Sequence, residues 1–338
     1  MSRVVDRRHI FGEVEKEFFY RSMRRLEAFT GVQVLSYCIM SNHFHLLLEI
    51  PTIVELDDKT LLERLRKFYS KQQMATISQE FERALSHAHS TGDDKWLNAL
   101  REKYICRMGN LSSFVKELKE NFTKWYNRRE ERRGTLWEER FKSVLVEDSE
   151  KVLLTMASYI DLNPVRAGLV KSPQEYRHCS YAEAVAGGEI ARTGIASLLQ
   201  MQGQVGSWRS VSTQYRKLLF IAGEETDTRK GINTKKVQQV LEKGGELPLR
   251  ELVRCHVRYF NDGVALGSRL FVEEVFTQNR PLFGERRKTG AQKMKGGNWE
   301  DYFAYETFPM LWPRRAKQTP DYDQFCTQSP PLHRLRLL

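Results

Sequence analysis

An α+β fold is predicted for this chain of 338 residues, and three features predict it. His43 to Ile50 is an apolar run of strand length that opens on a His-x-His pair. A second apolar run, Val32 to Met40, precedes it across the short turn Ser41-Asn42, as in a hairpin. Segments on both sides carry apolar residues at three- and four-residue steps, the period of an amphipathic helix.

The elements follow in order. Met1 to Asp6 reads as a short strand, and its abrupt start leaves room for a first strand that begins upstream. Phe11 to Thr30 is helical, with Val14, Phe18, Phe19, Met23, Leu26 and Phe29 in period, and Gly31 stops it. After the hairpin, residues 56–108 read as an inserted helical excursion interrupted at Ser90-Thr91-Gly92-Asp93-Asp94. Leu111 to Arg129 is a further amphipathic helix with Phe114, Leu118, Phe122 and Trp125 on one side. Arg140 to Val146 alternates well enough for a strand. Ser149 is the expected cap of a helix that reaches Leu162 and ends before Pro164. The pattern loosens after Gly187-Gly188. Residues 188–298 read as a mainly helical C-terminal region, and 299–338 as a poorly packed tail. Within 247–277, a helix, the turn Asn261-Asp262-Gly263 and a second helix capped by Ser268 resemble a helix–turn–helix, with Arg269 near the start of its recognition helix.

Composition narrows the function. Lys and Arg number 54 against 43 Asp and Glu. The resulting charge of +11 favours a polyanionic partner, nucleic acid before an anionic membrane. No apolar run reaches the roughly 18–20 residues of a membrane span, and no apolar segment follows Arg7-Arg8 as it would in a signal peptide. The five cysteines form no C-x-x-C pair, which argues against a zinc ribbon or a disulfide framework. A reducing, cytoplasmic setting, with the nucleoid as the place of work, is the expectation.

The chemistry starts at His43 and His45. Side chains at i and i+2 of a strand share a face, so both imidazoles project together while Phe44 turns into a core. Two neutral imidazoles can hold a divalent cation, but one strand cannot complete its shell. His87-x-His89 has the same spacing in a helical context, where i and i+2 diverge, and no role is assigned to it. On the helix before Pro164, Tyr159 and Asn163 stand at i and i+4 and so share a face. One offers a phenol and the other an amide oxygen able to join the metal shell.

Three stretches now stand in order: Ser41-Asn42-His43-Phe44-His45-Leu46-Leu47-Leu48, then Gly134-Thr135-Leu136-Trp137-Glu138-Glu139-Arg140-Phe141-Lys142-Ser143, then Tyr159-Ile160-Asp161-Leu162-Asn163-Pro164-Val165-Arg166-Ala167-Gly168-Leu169-Val170. Together they resemble the REP-associated tyrosine transposases, a branch of the single-tyrosine HUH superfamily, over residues 1–187. The resemblance implies a ferredoxin-like HUH domain, an antiparallel sheet with helices on one face, that nicks and rejoins single-stranded DNA at hairpin-forming repeats. It implies His43, His45 and Asn163 as ligands of Mg²⁺ or Mn²⁺, Tyr159 as nucleophile and a 5′-phosphotyrosine intermediate. A monomer is favoured over a homodimer.

A DNA track is expected from Lys124, Arg128, Arg129, Arg132, Arg133, Arg140 and Lys142, interleaved with Trp125, Tyr126 and Trp137. Cations there would meet phosphates and aromatic faces would stack bases. Arg166 lies just past the tyrosine helix, in reach of the scissile strand. Two rivals remain. One is a domesticated DNA-binding protein that does not cut. The other is a metal-dependent hydrolase with water as nucleophile.

Overall fold

A computed structural model describes residues 1–51, 56–199, 208–225, 231–242, 263–278, 280, 292–293, 302–306 and 335–337. The chain is a mixed α+β protein and divides into two compact units. One comprises Met1–Lys16, Val34–Glu49 and Leu136–Leu338; the other comprises Glu17–Gln33 and Ile50–Thr135.

The first unit is built on a sheet. Strands β1 (Ser2–Arg3), β2 (Gln33–Ile39) and β3 (His43–Ile50) put β3 between the other two. β1 runs antiparallel to β3, with Ser2 opposite Phe44 and Arg3 opposite His43. Met40 N–H donates to the His43 carbonyl at 2.8 Å and closes the Ser41-Asn42 turn. On the far side of β1 runs the chain from Leu136 to Lys142. Val5 N–H donates to Leu136 O, Glu138 N–H to Arg3 O and Lys142 N–H to Met1 O, all at 2.9–3.0 Å, and Val4 bridges Trp137 antiparallel. The lanes across this part of the sheet are therefore 136–142, β1, β3, β2. The strand expected at 140–146 is split. Its first half lies along β1, and only β4 (Leu145–Val146) is a regular strand, paired with later elements.

Behind β4 come α6 (Glu150–Asp161), α7 (Asn163–Arg166), α8 (Ser180–Val185), α9 (Glu189–Leu198), α10 (Trp208–Gly223) and α11 (Thr234–Leu241). Leu35 and Leu47 of the hairpin share one apolar core with Val152, Met156 and Ile160 of α6, Ile195 of α9 and Leu218 of α10. α9 and α10 complete the core that α6 begins. Ser149 does occupy the position before α6, but its side chain makes no capping hydrogen bond.

The C-terminal expectations also change. β5 (Gly263–Ser268) pairs parallel with β4 and antiparallel with β7 (Tyr302–Glu306), β6 (Gln292–Lys293) pairs with β7, and β8 (Leu335–Leu337) pairs with β4. The tail therefore contributes strands. α12 (Arg269–Gln278) is present, and Ser268 Oγ accepts from Phe271 N–H at 3.3 Å as a cap should. The strand β5 leads directly into it, and Asn261 and Asp262 of the turn expected in a helix–turn–helix lie outside the described residues. The first helix of that motif, 247–260, lies outside the described residues.

The second unit is helical: α2 (Asp58–Phe68), α3 (Lys71–Thr91), α4 (Lys95–Ile105) and α5 (Leu111–Arg129), joined by most of α1 (Glu13–Thr30). Ser70 and Gln73 form a reciprocal capping box at the head of α3, and Gly92 ends it at φ +75°. His87 and His89 lie on α3, where their spacing separates them. Phe29, Leu61, Leu65, Phe81 and Tyr104 fill the core.

Gly194 of α9 sits on the backbone of β2. A Cβ there would lie 2.8 Å from the Leu35 carbonyl oxygen and 3.2 Å from its Cα. Alanine would gain about 1 kcal/mol of helix propensity, but overpacking against rigid backbone costs about 1–3 kcal/mol. Gly194→Ala should therefore lower the urea midpoint of unfolding, whereas an ordinary mid-helix glycine replaced by alanine would raise it.

Candidate active site

β3 is apolar, paired along both edges and buried from Phe44 onward. Its alternation does what the sequence predicts. Phe44 turns to Trp137, ring centroids 5.7 Å apart, while His43 and His45 share the other face at 5.1 Å and an interplanar angle of 83°. A nitrogen-bound cation sits about 2.1 Å from its ligand atom. Two imidazoles meeting one ion at near-right angles then have ring centres about 5 Å apart, so the observed spacing fits a shared ion.

Both rings are neutral near pH 7. Burial, then the charges of Arg3 and the N-terminus, pulls His43 down to about 4. Burial and the neighbouring His43 hold His45 well below its ordinary value. His45 Nδ1 is buried and has no hydrogen-bond partner, a costly state that a cation or a bound donor would relieve. His43 Nδ1 lies 2.6 Å from Asn42 Oδ1. Sequence reasoning treated Asn42 only as a turn residue; its place directly before the histidine pair was the available signal.

The tyrosine arrives on α6. Every residue from Val152 to Asp161 is buried, as befits a helix apolar on all sides. Tyr159 packs edge-on against His45, centroids 5.7 Å apart, and is 3% exposed. The guanidinium of Arg166 stands 5.1 Å over the Tyr159 ring, within cation–π range. A chain of contacts thus joins His43, His45, Tyr159 and Arg166.

Asn163 is less simply placed. α6 ends at Asp161, two residues short of Asn163, and Asn163 opens α7 ahead of Pro164. Proline has no N–H to offer the Ile160 carbonyl four residues back. The Asn163 amide nitrogen serves that end instead, donating to Tyr159 O at 3.0 Å and Ile160 O at 3.3 Å. These two bonds use the amide nitrogen, and the Oδ1 of Asn163 is the atom the sequence offers to a cation. It makes no hydrogen bond to either histidine. Among the described residues there is no group of three His, Cys, Asp or Glu side chains suited to a metal. The pair that fits a cation by its geometry is His43 and His45, two donors that leave the remaining positions of a shell to an amide oxygen, phosphate or water.

Asp161 is a further residue that sequence reasoning passed over. It is 0% exposed. Tyr181 N–H reaches its Oδ1 at 3.1 Å and the Tyr215 hydroxyl its Oδ2 at 2.7 Å. Burial pushes its carboxyl up to about 7, with the Tyr215 hydrogen bond acting against the shift. Through this carboxyl the end of α6 is tied to α8 and α10.

The basic residues divide between the units. Lys124, Arg128, Arg129 and Arg133 are exposed and Arg132 half-buried in the helical unit; Arg140, Lys142 and Arg269 are exposed in the other. Lys124 pairs with Glu120 at 3.7 Å and Lys142 with Glu139 at 3.3 Å, exposed pairs too weak to hold these cations from a phosphate. Trp137 packs against Phe11 and Phe44 and is 7% exposed, the placement of a core residue. Trp125 stacks on Phe18 at 4.2 Å with one face.

Comparisons with family models, curated proteins and solved structures find no match to this chain.

Tyr215→Phe would remove the 2.7 Å hydrogen bond to the buried Asp161 carboxyl. A loss of about 1.5–3 kcal/mol in unfolding free energy is expected, measured by urea denaturation.

Proposed function

We propose that this protein is a single-tyrosine HUH strand transferase, a DNA transposase that nicks and rejoins single-stranded DNA at hairpin-forming repeats. The contact chain His43–His45–Tyr159–Arg166 carries the reading. It brings a neutral imidazole pair and a phenol into contact beside a guanidinium, and simple DNA binding needs neither the imidazole pair nor the phenol. The lane order 136–142, β1, β3, β2 supports the ferredoxin-like reading of the sheet. The charge of +11 supports a nucleic-acid partner. No helix among the described residues is long and apolar enough to cross a membrane. We take the working form to be a monomer acting in the cytoplasm at the nucleoid.

The reaction follows from the groups present. Tyr159 Oη attacks the scissile phosphorus. The bond to the 3′ oxygen breaks, a 5′-phosphotyrosine forms, and the phenolic proton passes in net terms to the departing 3′ hydroxyl. The phosphodiester energy stays in the new bond, so a second 3′ hydroxyl can reverse the step without a nucleotide cofactor. An unassisted phenol is a weak nucleophile at neutral pH. Mg²⁺ or Mn²⁺ held by His43, His45 and Asn163 would polarise the phosphate and balance its growing charge. Arg166, whose guanidinium lies over the phenol ring, would hold a non-bridging oxygen of the scissile phosphate. Arg140 and Lys142 in the first unit, and Lys124, Arg128, Arg129, Arg132 and Arg133 in the second, would each meet phosphates of the DNA.

The 3% exposure of Tyr159 favours one rival, a DNA-binding protein that retains the fold without cutting. Covalent chemistry separates the two. With an end-labelled hairpin oligonucleotide and Mn²⁺, the wild type should give a protein–DNA adduct stable on a denaturing gel. Tyr159→Phe should give none while still binding the oligonucleotide; a persistent adduct in that variant would sink the assignment. Chelation by EDTA should abolish the adduct and spare binding. Arg166→Ala should slow adduct formation by about 10²-fold, the usual cost of losing one transition-state donor.

A further inference from the structure

We infer that Asn42 sets the tautomer of His43 and so aims its Nε2 lone pair at the cation site. The inference rests on reading the histidine pair as that site, and the hydrogen bonds leave little freedom in the rest. Asn42 Nδ2 lies 3.1 Å from the Arg7 carbonyl oxygen, and Asn42 Oδ1 lies 2.6 Å from His43 Nδ1. A carbonyl can only accept, so the amide nitrogen must face Arg7. The amide oxygen must then face His43, and an amide oxygen also can only accept. The proton of the neutral imidazole is therefore on Nδ1, and Nε2 carries the free lone pair.

The carbonyl that fixes this sequence is itself held by an unusual turn. Asp6 and Arg7 are consecutive non-glycine residues in the left-handed region, at φ 56° and 52°. Each such residue costs about 1–2 kcal/mol and persists where its surroundings dictate it. Here the turn is pinned by Arg7 N–H to Val4 O at 3.1 Å, and Asn42 is pinned by Val4 N–H to its own carbonyl at 2.9 Å. The strained turn, the amide and the imidazole form one chain of positioned groups. Asn42 is a positioning residue: it touches neither phosphate nor nucleophile, and it fixes which nitrogen His43 presents.

The test uses the full-length protein, labelled with ¹⁵N-histidine at pH 8, with His43→Gln identifying the His43 resonances. Two-bond ¹H–¹⁵N correlation reads the tautomer without any metal, and Mn²⁺ titration followed by electron paramagnetic resonance reads the site. Wild type should carry the His43 proton on Nδ1. Asn42→Ala should move it toward Nε2 and weaken Mn²⁺ binding about 10- to 100-fold, as for loss of an outer-shell partner. Asn42→Asp, which keeps the acceptor, should restore the Nδ1 proton. A wild-type proton on Nε2, or an Asn42→Ala variant with unchanged tautomer and unchanged Mn²⁺ affinity, would overturn the role of Asn42 alone. An Nδ1 proton in a wild type that binds no Mn²⁺ would instead bring down the cation site and this inference with it.

Discussion

The two-residue repeat of strand β3 is the constraint on which the site depends. It sends His43 and His45 to one face and Phe44 to the other. A one-residue slip of the strand would carry both imidazoles into the layer where Phe44 meets Trp137. Register is pinned from three directions: β1 opposite Phe44 and His43, the closed turn at Met40, and burial of the strand from Phe44 onward. The strand therefore fixes half of the candidate active site before any catalytic partner arrives.

The other half depends on how α6 ends. Pro164 removes a donor just where the helix needs one, and the Asn163 amide replaces it at the carbonyls of Tyr159 and Ile160. Asp161, between those carbonyls and the proline, is held by Tyr181 and Tyr215 in the interior. Tyr159 thus stands on a helix terminus anchored by hydrogen bonds on both sides of it. Burying a carboxyl that titrates near 7 is costly. A less polar residue at this position would pack at lower cost, so Asp161 is best understood through the placement it enforces.

Much of this was legible in the sequence because it is local. The bounds of α5 (Leu111–Arg129) and β3 (His43–Ile50) follow from apolar period and strand length, and the His-x-His pair shares a face for the same reason. What the sequence hid is non-local. Residues 136–142 lie beside β1 because of a pairing partner far back in the chain, so the alternation at 140–146 misled. α9 and α10 join the first core through shared packing that no linker composition announces. Trp137 has the composition of a stacking platform and the burial of a core residue. Asn42 looked like turn chemistry because its second role requires the Arg7 carbonyl, brought close by a left-handed turn.

The central claim is that one cation joins the histidine pair beside the tyrosine. Anomalous diffraction at the manganese edge, from crystals of the full chain grown with Mn²⁺, tests it most directly. The account predicts one strong peak bonded to both His43 and His45, with Asn163 Oδ1 among its neighbours and the Tyr159 hydroxyl facing the same pocket. A peak elsewhere, or none between the two imidazoles at saturating Mn²⁺, would contradict it.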